Sequence, residues 1–256
     1  MTSRRNALGN LGVAAAAIGF AASASASPSA PLVQKEAKTL DALTAKLALF
    51  EAKRDFKIAP MVLVDRAEWD GDGLDAVLHY GGGPKQAWDN TDISGPWLNV
   101  MRNAMNSQIW SFGHPDFLCV SATHGSAQLA LYDEVMWEKY ALAKMAGGGV
   151  TKNAFVAAKP ASSVDLADFQ NETGAFSPAA NSIQGLQRRG AVFLACHNAA
   201  WELSERLIAG GTNPDKSTTG ALCAELTNHL IPGVIMTPGA VGTLVELATA
   251  GFSYAR

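Results

Sequence analysis

The stretch Gly190-Ala191-Val192-Phe193-Leu194-Ala195-Cys196-His197-Asn198 decides the fold class of this chain. Its apolar run, 191–195, is typical of a strand that is buried on both faces, as in a parallel sheet. A helical pattern over 198–209 follows almost at once and stops at Gly210-Gly211. A buried strand that leads directly into a helix is the repeating unit of an α/β protein.

The same alternation continues on both sides of this unit. Further strands are predicted at 75–80, 117–122, 234–236 and 252–255. Helices are predicted at 96–107, 127–145, 182–189, 217–230 and 239–250, the last with an inward stripe of Val241, Leu244, Val245 and Ala248. Strands that alternate with helices predict a mostly parallel sheet of about five strands with helices on both faces.

The N-terminus has the three-part pattern of an export signal. Arg4-Arg5 precedes an apolar run, 11–22, and the small residues Ala24-Ser25-Ala26 follow it. The paired arginines predict a twin-arginine signal over residues 1–26, and hence a protein of the periplasm. The alternative is an ordinary secretory signal that contains two arginines. The apolar run is too short to predict a membrane span.

Two segments stand outside the core pattern. Residues 27–60 are predicted to form a linker and a helical arm, because Leu40, Leu43, Leu47 and Phe50 recur at helical spacing. Residues 61–256 then form the α/β domain. Within it, 147–180 shows no periodicity and is predicted to be an insertion or long loop.

The charge balance argues against two classes of partner. The chain has 20 basic and 23 acidic residues, a net charge of −3, and cleavage of the signal removes two of the basic ones. A mildly acidic surface argues against nucleic acid, and against a membrane once the signal has been removed. The three cysteines, Cys119, Cys196 and Cys223, are an odd number and have no CxxC spacing, so neither a redox dithiol nor a zinc ribbon is indicated.

Reactive side chains follow the predicted strands. The strand ends are His79-Tyr80, Thr123-His124-Gly125, Cys196-His197-Asn198 and Thr237-Pro238-Gly239. Because the carboxyl ends of parallel strands meet at one edge of the sheet, and such edges hold ligands, these residues predict the functional site.

Cys196 is the candidate reactive thiol of this edge. It would lie at a helix N-terminus, where the helix dipole favours the thiolate, and His197 is its candidate helper. The alternatives are a small core residue at a tight turn and a solvent-facing histidine. His124, Gly125 and Asn198 are candidates for binding a small anion at exposed backbone amides, and a structural histidine is the alternative for His124.

Other chemistry is not predicted. Histidines near Cys196 could ligate a metal, but no diagnostic ligand spacing is present, so no metal and no cofactor is predicted. Cys119 and Cys223 are predicted to lie in the core. Trp137 and Tyr140 indicate an aromatic packing surface, which is either core or a contact between subunits.

Four blocks carry a resemblance to a known family. They are Trp97-Leu98-Asn99-Val100-Met101-Arg102-Asn103, a strand that ends in His124-Gly125 with the later helix Trp137-Glu138-Lys139-Tyr140, Arg189 through Asn198, and Leu230-Ile231-Pro232-Gly233-Val234-Ile235-Met236-Thr237-Pro238-Gly239-Ala240-Val241 with the later Leu247 and Gly251-Phe252-Ser253-Tyr254. Over roughly 75–254 the chain resembles the DsrE/DsrF-like family of sulfur-relay proteins. The export signal, the arm and the insertion are departures from the small cytoplasmic members.

The resemblance implies a flavodoxin-like sheet, homo-oligomers, and a cysteine after the third strand that carries persulfide sulfur in some members. Cys196 occupies that position. Two hypotheses follow. The protein handles sulfur through the Cys196 thiol, or it is a non-enzymatic periplasmic module that binds a small anion, a metal or a protein partner. The sequence does not decide between an enzyme and a binding protein.

Overall fold

The computed structural model describes residues 31–50, 54–147, 149–156 and 159–256. The predicted signal, 1–26, lies outside the described residues. The strands are β1 Lys85–Asn90, β2 Leu118–Thr123, β3 Val192–Cys196, β4 Val234–Thr237 and β5 Ser253–Ala255. The helices are α1 Lys38–Leu49, α2 Gly71–Leu78, α3 Trp97–Asn106, α4 Glu134–Lys139, α5 Ala143–Ala146, α6 Ile183–Arg188, α7 His197–Ala209, α8 Thr219–Asn228 and α9 Ala240–Thr249.

The five strands form one sheet in the order β4-β3-β2-β1-β5, and every neighbouring pair is parallel. This confirms the prediction of a flavodoxin-like α/β fold. Strands β1 to β4 advance across the sheet in one direction, so right-handed crossovers place their connections on one face. The connection from β4 to β5 runs back across the sheet, which places α9 on the opposite face.

Two core clusters cover the two faces. On the first face, Trp88, Phe193 and Met236 of the sheet pack with residues of α3, α7 and α8, among them Met101 and Leu203. On the second face, the sheet residues pack with α1, α2 and α9. This second cluster includes Ala87, Leu194 and Ile235 from the sheet and Leu40, Val77 and Leu247 from the helices.

The N-terminal helix predicted as an arm lies on the second face. Its Leu40 and Leu43 are buried. The carboxylate of Asp116, in the loop before β2, accepts hydrogen bonds at 2.9 Å from the backbone N–H groups of Thr39 and Leu40. A residue distant in sequence thus satisfies the free N–H groups at the start of α1, which has no side-chain cap of its own.

Four predictions of local structure were wrong. The run 75–80 belongs to α2, so His79 ends a helix and does not lie at a strand end. The first strand is β1, whose sequence KQAWDN is too polar to show the pattern of a buried strand. The predicted helix over 127–145 is broken into a 3-10 turn, α4 and α5, with Ala141 at φ 49° between the last two.

The fourth error concerns α9. Val241 and Val245, predicted to face inward, are 66% and 62% exposed. Ala240, Thr243 and Leu247 are its buried residues instead.

Trp137 and Tyr140 are buried in the core, 3% and 1% exposed, so in this chain they do not form a surface for another subunit. None of the helices in the described residues combines the length and the apolar character needed to cross a bilayer.

The free edge of β4 is covered by the segment that precedes α2. The backbone N–H of Asp70 donates to the carbonyl of Met236 at 3.1 Å, and the Asp70 carboxylate accepts from the Met236 N–H at 2.6 Å. Arg54 forms an ion pair with Asp70 and also donates to the carbonyl of Val234. An exposed strand edge invites pairing with other chains, and this contact blocks it.

We expect Asp70→Ala to destabilise the protein by about 3–5 kcal/mol, because it leaves the Arg54 guanidinium buried without its partner. The side chains of Arg54 and Asp70 are only 8% and 10% exposed, so solvent cannot replace the lost contacts. Urea unfolding followed by circular dichroism measures the change. Asp72→Ala is the matched control, since the Asp72 carboxylate pairs with Arg66 in an exposed position. An Asp70→Ala variant no less stable than Asp72→Ala would contradict the role of the ion pair.

Candidate functional site

Cys196 lies where the connections of the sheet change faces. The connection after β3 begins with α7 on the first face, and the connection after β4 is α9 on the second. The carboxyl ends of two such neighbouring strands enclose a crevice, which is the usual ligand position in an open α/β sheet. Cys196 is the last residue of β3 and lies in register with Thr237, the last residue of β4. The structure therefore places Cys196 at the predicted edge, beside the carboxyl end of β4.

Two helix N-termini point at the Cys196 sulfur. The backbone N–H of Ala199, in the first turn of α7, donates to Sγ at 3.4 Å. The N–H of Ala240, the first residue of α9, donates to the same atom at 3.2 Å. Helix N-termini carry partial positive charge, and both of these are directed at the sulfur. Cys196 is 4% exposed, so only small reactants can reach its sulfur.

Gln128 holds the backbone of Cys196 in place. Its side-chain oxygen accepts from the Cys196 N–H at 2.8 Å, and its side-chain nitrogen donates to the Cys196 carbonyl at 2.9 Å. The same nitrogen donates to the Tyr132 hydroxyl. Gln128 is buried in the 3-10 turn after β2. Sequence reasoning missed this residue, because a glutamine 68 positions away from Cys196 gives no local signal.

Asn198 and Gly239 flank the crevice next to Cys196 and Ala240. Asn198 is exposed, and its side-chain nitrogen would lie 2.8 Å from a Cβ placed on Gly239. Glycine at this position thus allows the Asn198 amide to lie close to the loop after β4. The structure brings Cys196 and Asn198 to the same crevice, as the sequence predicted.

His124 belongs to a neighbouring cluster on β1, β2 and β5. Its Nε2 lies 2.7 Å from the Asp89 carboxylate, and the Tyr254 hydroxyl donates to the same carboxylate at 2.8 Å. Burial raises the pKa of Asp89, but the hydrogen bonds from His124 and Tyr254 outweigh it and hold that pKa below its ordinary value. The side chains of His124 and Asp89 are 21% and 14% exposed, so solvent reaches them.

Gly125 shapes the turn after His124. Its φ of 56° lies in the left-handed region, and a Cβ at this position would come within 2.6 Å of the Thr91 carbonyl oxygen. The backbone conformation accounts for this glycine. Because His124 points to β1, on the far side of β2 from Cys196, the structure does not join its side chain to the thiol.

His197 is directed away from Cys196. Its Nε2 lies 2.8 Å from the carbonyl oxygen of Pro60, and its Nδ1 lies 3.8 Å from the Cys223 sulfur. Burial lowers the pKa of His197, although the hydrogen bond to Pro60 acts in the opposite sense. The imidazole therefore joins the N-terminal segment to α7 and α8. The predicted pairing of His197 with the Cys196 thiol is not formed.

The other two thiols lie in the core, as predicted. Burial raises the pKa of Cys119 to about 12 and that of Cys223 to about 12. A thiol with such a pKa is almost wholly protonated near neutral pH and reacts slowly. None of the three cysteines forms a disulfide bond.

Comparison with known proteins finds no relative of this chain. No known protein family, no curated protein and no solved structure matches it. The resemblance to the DsrE/DsrF-like family thus stays a prediction. Within the described residues, no group of three or more histidine, cysteine, aspartate or glutamate side chains is arranged to hold a metal ion.

The burial of His197 predicts a loss of stability in acid. The pKa of His197 is lower in the folded protein than the ordinary 6.5. At pH values between these two pKa values, the unfolded state therefore binds more protons than the folded state. Stability should therefore fall as the pH drops through about 6.5. We expect the free energy of unfolding, measured by urea titration, to decline less in His197→Gln than in wild type between neutral pH and about pH 5.

His229 provides the matched control with the opposite sign. Its hydrogen bond to the Asp133 carboxylate raises its pKa, so its contribution is present below the ordinary pKa and is lost as the pH rises through the raised value. His229→Gln should therefore destabilise the protein more in acid than in base. Superimposable pH profiles for wild type and His197→Gln would rule out the assigned role of His197.

Proposed function

We propose that the protein is an exported thiol protein that accepts and passes on sulfane sulfur through Cys196. One observation carries this proposal. The backbone N–H groups of Ala199 and Ala240, from two different helix N-termini, donate to the Cys196 sulfur at the point where the sheet connections change faces. Such donors stabilise a thiolate, which is the nucleophilic form of cysteine.

The proposed reaction conserves atoms and charge. The Cys196 thiolate attacks the outer sulfur of a small persulfide, R–S–SH. A bond forms between Sγ and that sulfur, the S–S bond of the donor breaks, and R–S⁻ leaves with the electron pair. The product is a Cys196 persulfide, which an acceptor thiolate can attack in the same way. The two N–H groups would stabilise negative charge on the sulfur at both steps.

The alternative function is a non-enzymatic binding module. The low exposure of Cys196, 4%, is the observation that favours it, because a buried sulfur can be a structural acceptor for the two helix N-termini. The Asp89–His124–Tyr254 cluster would then be the accessible polar part of the strand-end edge. Reactivity of the thiol separates the two functions.

We expect a reduced sample treated with polysulfide or thiosulfate to gain one sulfur atom on the peptide that contains Cys196. Peptides with Cys119 or Cys223 should stay unmodified in the folded protein, because burial keeps those thiols protonated. Mass spectrometry after trapping and digestion makes the measurement. Cys196→Ser should abolish the modification and keep the fold. An unmodified Cys196 with every donor would favour the binding module.

A second variant pair tests the N–H groups themselves. Proline is well tolerated at the first position of a helix, and the extended backbone of Gly239 suits the residue before a proline. Ala240→Pro therefore removes one donor to the sulfur, whereas Ala240→Val adds comparable bulk and keeps the donor. We expect iodoacetamide to alkylate Cys196 roughly 5-fold more slowly in Ala240→Pro than in Ala240→Val, the factor for a net hydrogen bond of about 1 kcal/mol. Equal rates would remove the support for thiolate stabilisation.

We also propose that the protein forms a homo-oligomer through the outer face of α9. Val241 and Val245, one turn apart, are 66% and 62% exposed and give this helix an apolar outer stripe. A contact between copies of the chain would remove this apolar surface from water. A second copy of the chain would cover the stripe beside the crevice that contains Cys196.

Light scattering tests this proposed assembly. Val245→Glu should lower the mass of the particle to that of one chain, because the carboxylate would be desolvated in the contact. Val135→Glu is the control, since Val135 is 54% exposed on a different helix, α4, and should not affect assembly. A wild-type protein that is monomeric at all concentrations would exclude the oligomer.

A further inference from the structure

Two arginines lie buried beneath the segment 159–181, at the end of the sheet opposite Cys196. Arg189 lies three residues before the start of β3 and is 2% exposed. Arg102 lies on α3 and is 7% exposed. Charged side chains are almost never fully buried unless a partner neutralises them. In the part of the chain that the structure describes, no carboxylate forms an ion pair with either guanidinium.

Neutral groups hold the two guanidiniums near each other. Arg102 Nη1 donates to the carbonyl of Phe176 at 3.1 Å, and Arg189 Nη2 donates to the side-chain oxygen of Asn106 at 2.7 Å. Asn106 in turn donates from its side-chain nitrogen to the same Phe176 carbonyl at 3.1 Å. A shared carbonyl and a shared amide thus place two positive charges in one buried region, where they repel each other.

Several donors in this region have no acceptor. Arg102 Nε, Arg189 Nε, Arg189 Nη1 and the hydroxyl of Ser177 are buried and have no hydrogen-bond partner among the described residues. Ser177 is the next residue after Phe176 and is itself 5% exposed. Each unpaired buried donor is costly, and more so on a charged group. These four donors belong to three residues that are linked through Phe176 and Asn106, so the region is short of acceptor atoms.

Aromatic rings enclose Arg189 without neutralising it. Its guanidinium carbon lies 5.1 Å from the centre of the Phe176 ring and 5.6 Å from that of Trp110. Trp110 is part of a π-helical turn, Ser107–Ser111, a rare conformation that is frequent at functional sites. Phe169 stacks on its indole at 5.0 Å and 11°. Burial, together with the positive charge of Arg102, lowers the pKa of Arg189 to about 9.

We propose that Arg102, Arg189 and Ser177 form a binding site for a small oxyanion, either a free tetrahedral anion or the carboxylate of a small molecule. The anion would accept hydrogen bonds from the four unpaired donors and neutralise the two guanidiniums. Guanidinium groups suit this ligand because their planar donors match the oxygens of carboxylates, sulfate and phosphate. The site is independent of the sulfur chemistry proposed for Cys196, because β3 separates the two by roughly 15 Å at the usual rise per residue.

Thermal unfolding of the full chain at constant ionic strength tests the site. Sodium sulfate, phosphate or acetate replaces sodium chloride in steps, and the midpoint of unfolding is measured. An anion that binds only the folded state should raise the midpoint by several degrees along a saturating curve. A stronger effect of sulfate and phosphate would identify a tetrahedral ligand, and an equal effect of acetate would identify a carboxylate.

Arg189→Met is the decisive variant. In chloride it should be as stable as wild type or more so, because an apolar side chain replaces a buried charge that no carboxylate of the described residues pairs with. It should show no saturating response to any of the three anions. Arg66→Met removes an exposed arginine and should respond as wild type does, which controls for general effects of the salts.

Ser177→Ala decides the matter if Arg189→Met does not fold. It removes one neutral hydroxyl and should bind the effective anion roughly 10-fold more weakly, the loss expected for a hydrogen bond to a charged group. The absence of a saturating response in wild type would overturn the proposal, because the unpaired donors of Arg102, Arg189 and Ser177 would then bind water and not an anion. An Arg189→Met or Ser177→Ala variant that binds as tightly as wild type would overturn it as well.

Discussion

The right-handed crossover between parallel strands is the constraint on which the rest of this structure depends. Four strands advance across the sheet in sequence order, so their connections share one face, and the last connection must return on the other. That return places the N-terminus of α9 opposite the N-terminus of α7. The Cys196 sulfur lies between them and receives an N–H from each. The position of the thiol is therefore a consequence of chain topology, before any detail of side-chain packing.

The chain treats its buried charges in two different ways. Arg54 and Asp70 neutralise each other at the edge of β4, and the backbone of that strand satisfies the remaining groups. Arg102 and Arg189 are also buried, but among the described residues their hydrogen-bond acceptors are neutral, and aromatic rings lie over Arg189. A compensated pair is understandable as structure alone. Two uncompensated positive charges with unpaired donors need a further explanation, and an anionic ligand provides one.

The three cysteines show how environment separates chemically identical groups. Cys119 is surrounded by the first-face core, and Cys223 lies on α8 beside His197, so burial keeps both protonated. Cys196 is nearly as inaccessible, but backbone N–H groups point at its sulfur and Gln128 fixes its main chain. Directed dipoles, rather than exposure alone, distinguish the one thiol for which a chemical role is proposed.

The sequence by itself determined the fold class and most of the elements, because buried parallel strands are continuous apolar runs and amphipathic helices have a clear period. It did not reveal β1, since the carboxyl end of that strand carries Asp89 and Asn90 for contacts with β2 and β5. It also misassigned the inward face of α9. This helix has small or apolar residues on most sides, so its period does not determine which side is buried.

Only the tertiary structure decided which candidates meet. Cys196 and Asn198 are close in sequence and stayed together at the crevice. His197, their neighbour, bonds to Pro60, 137 positions away, and the partner that holds Cys196 is Gln128, 68 positions away. A local pattern reports the periodicity of burial within one element. The direction of a polar side chain depends on which distant acceptor satisfies it, and that is known only once the chain has folded.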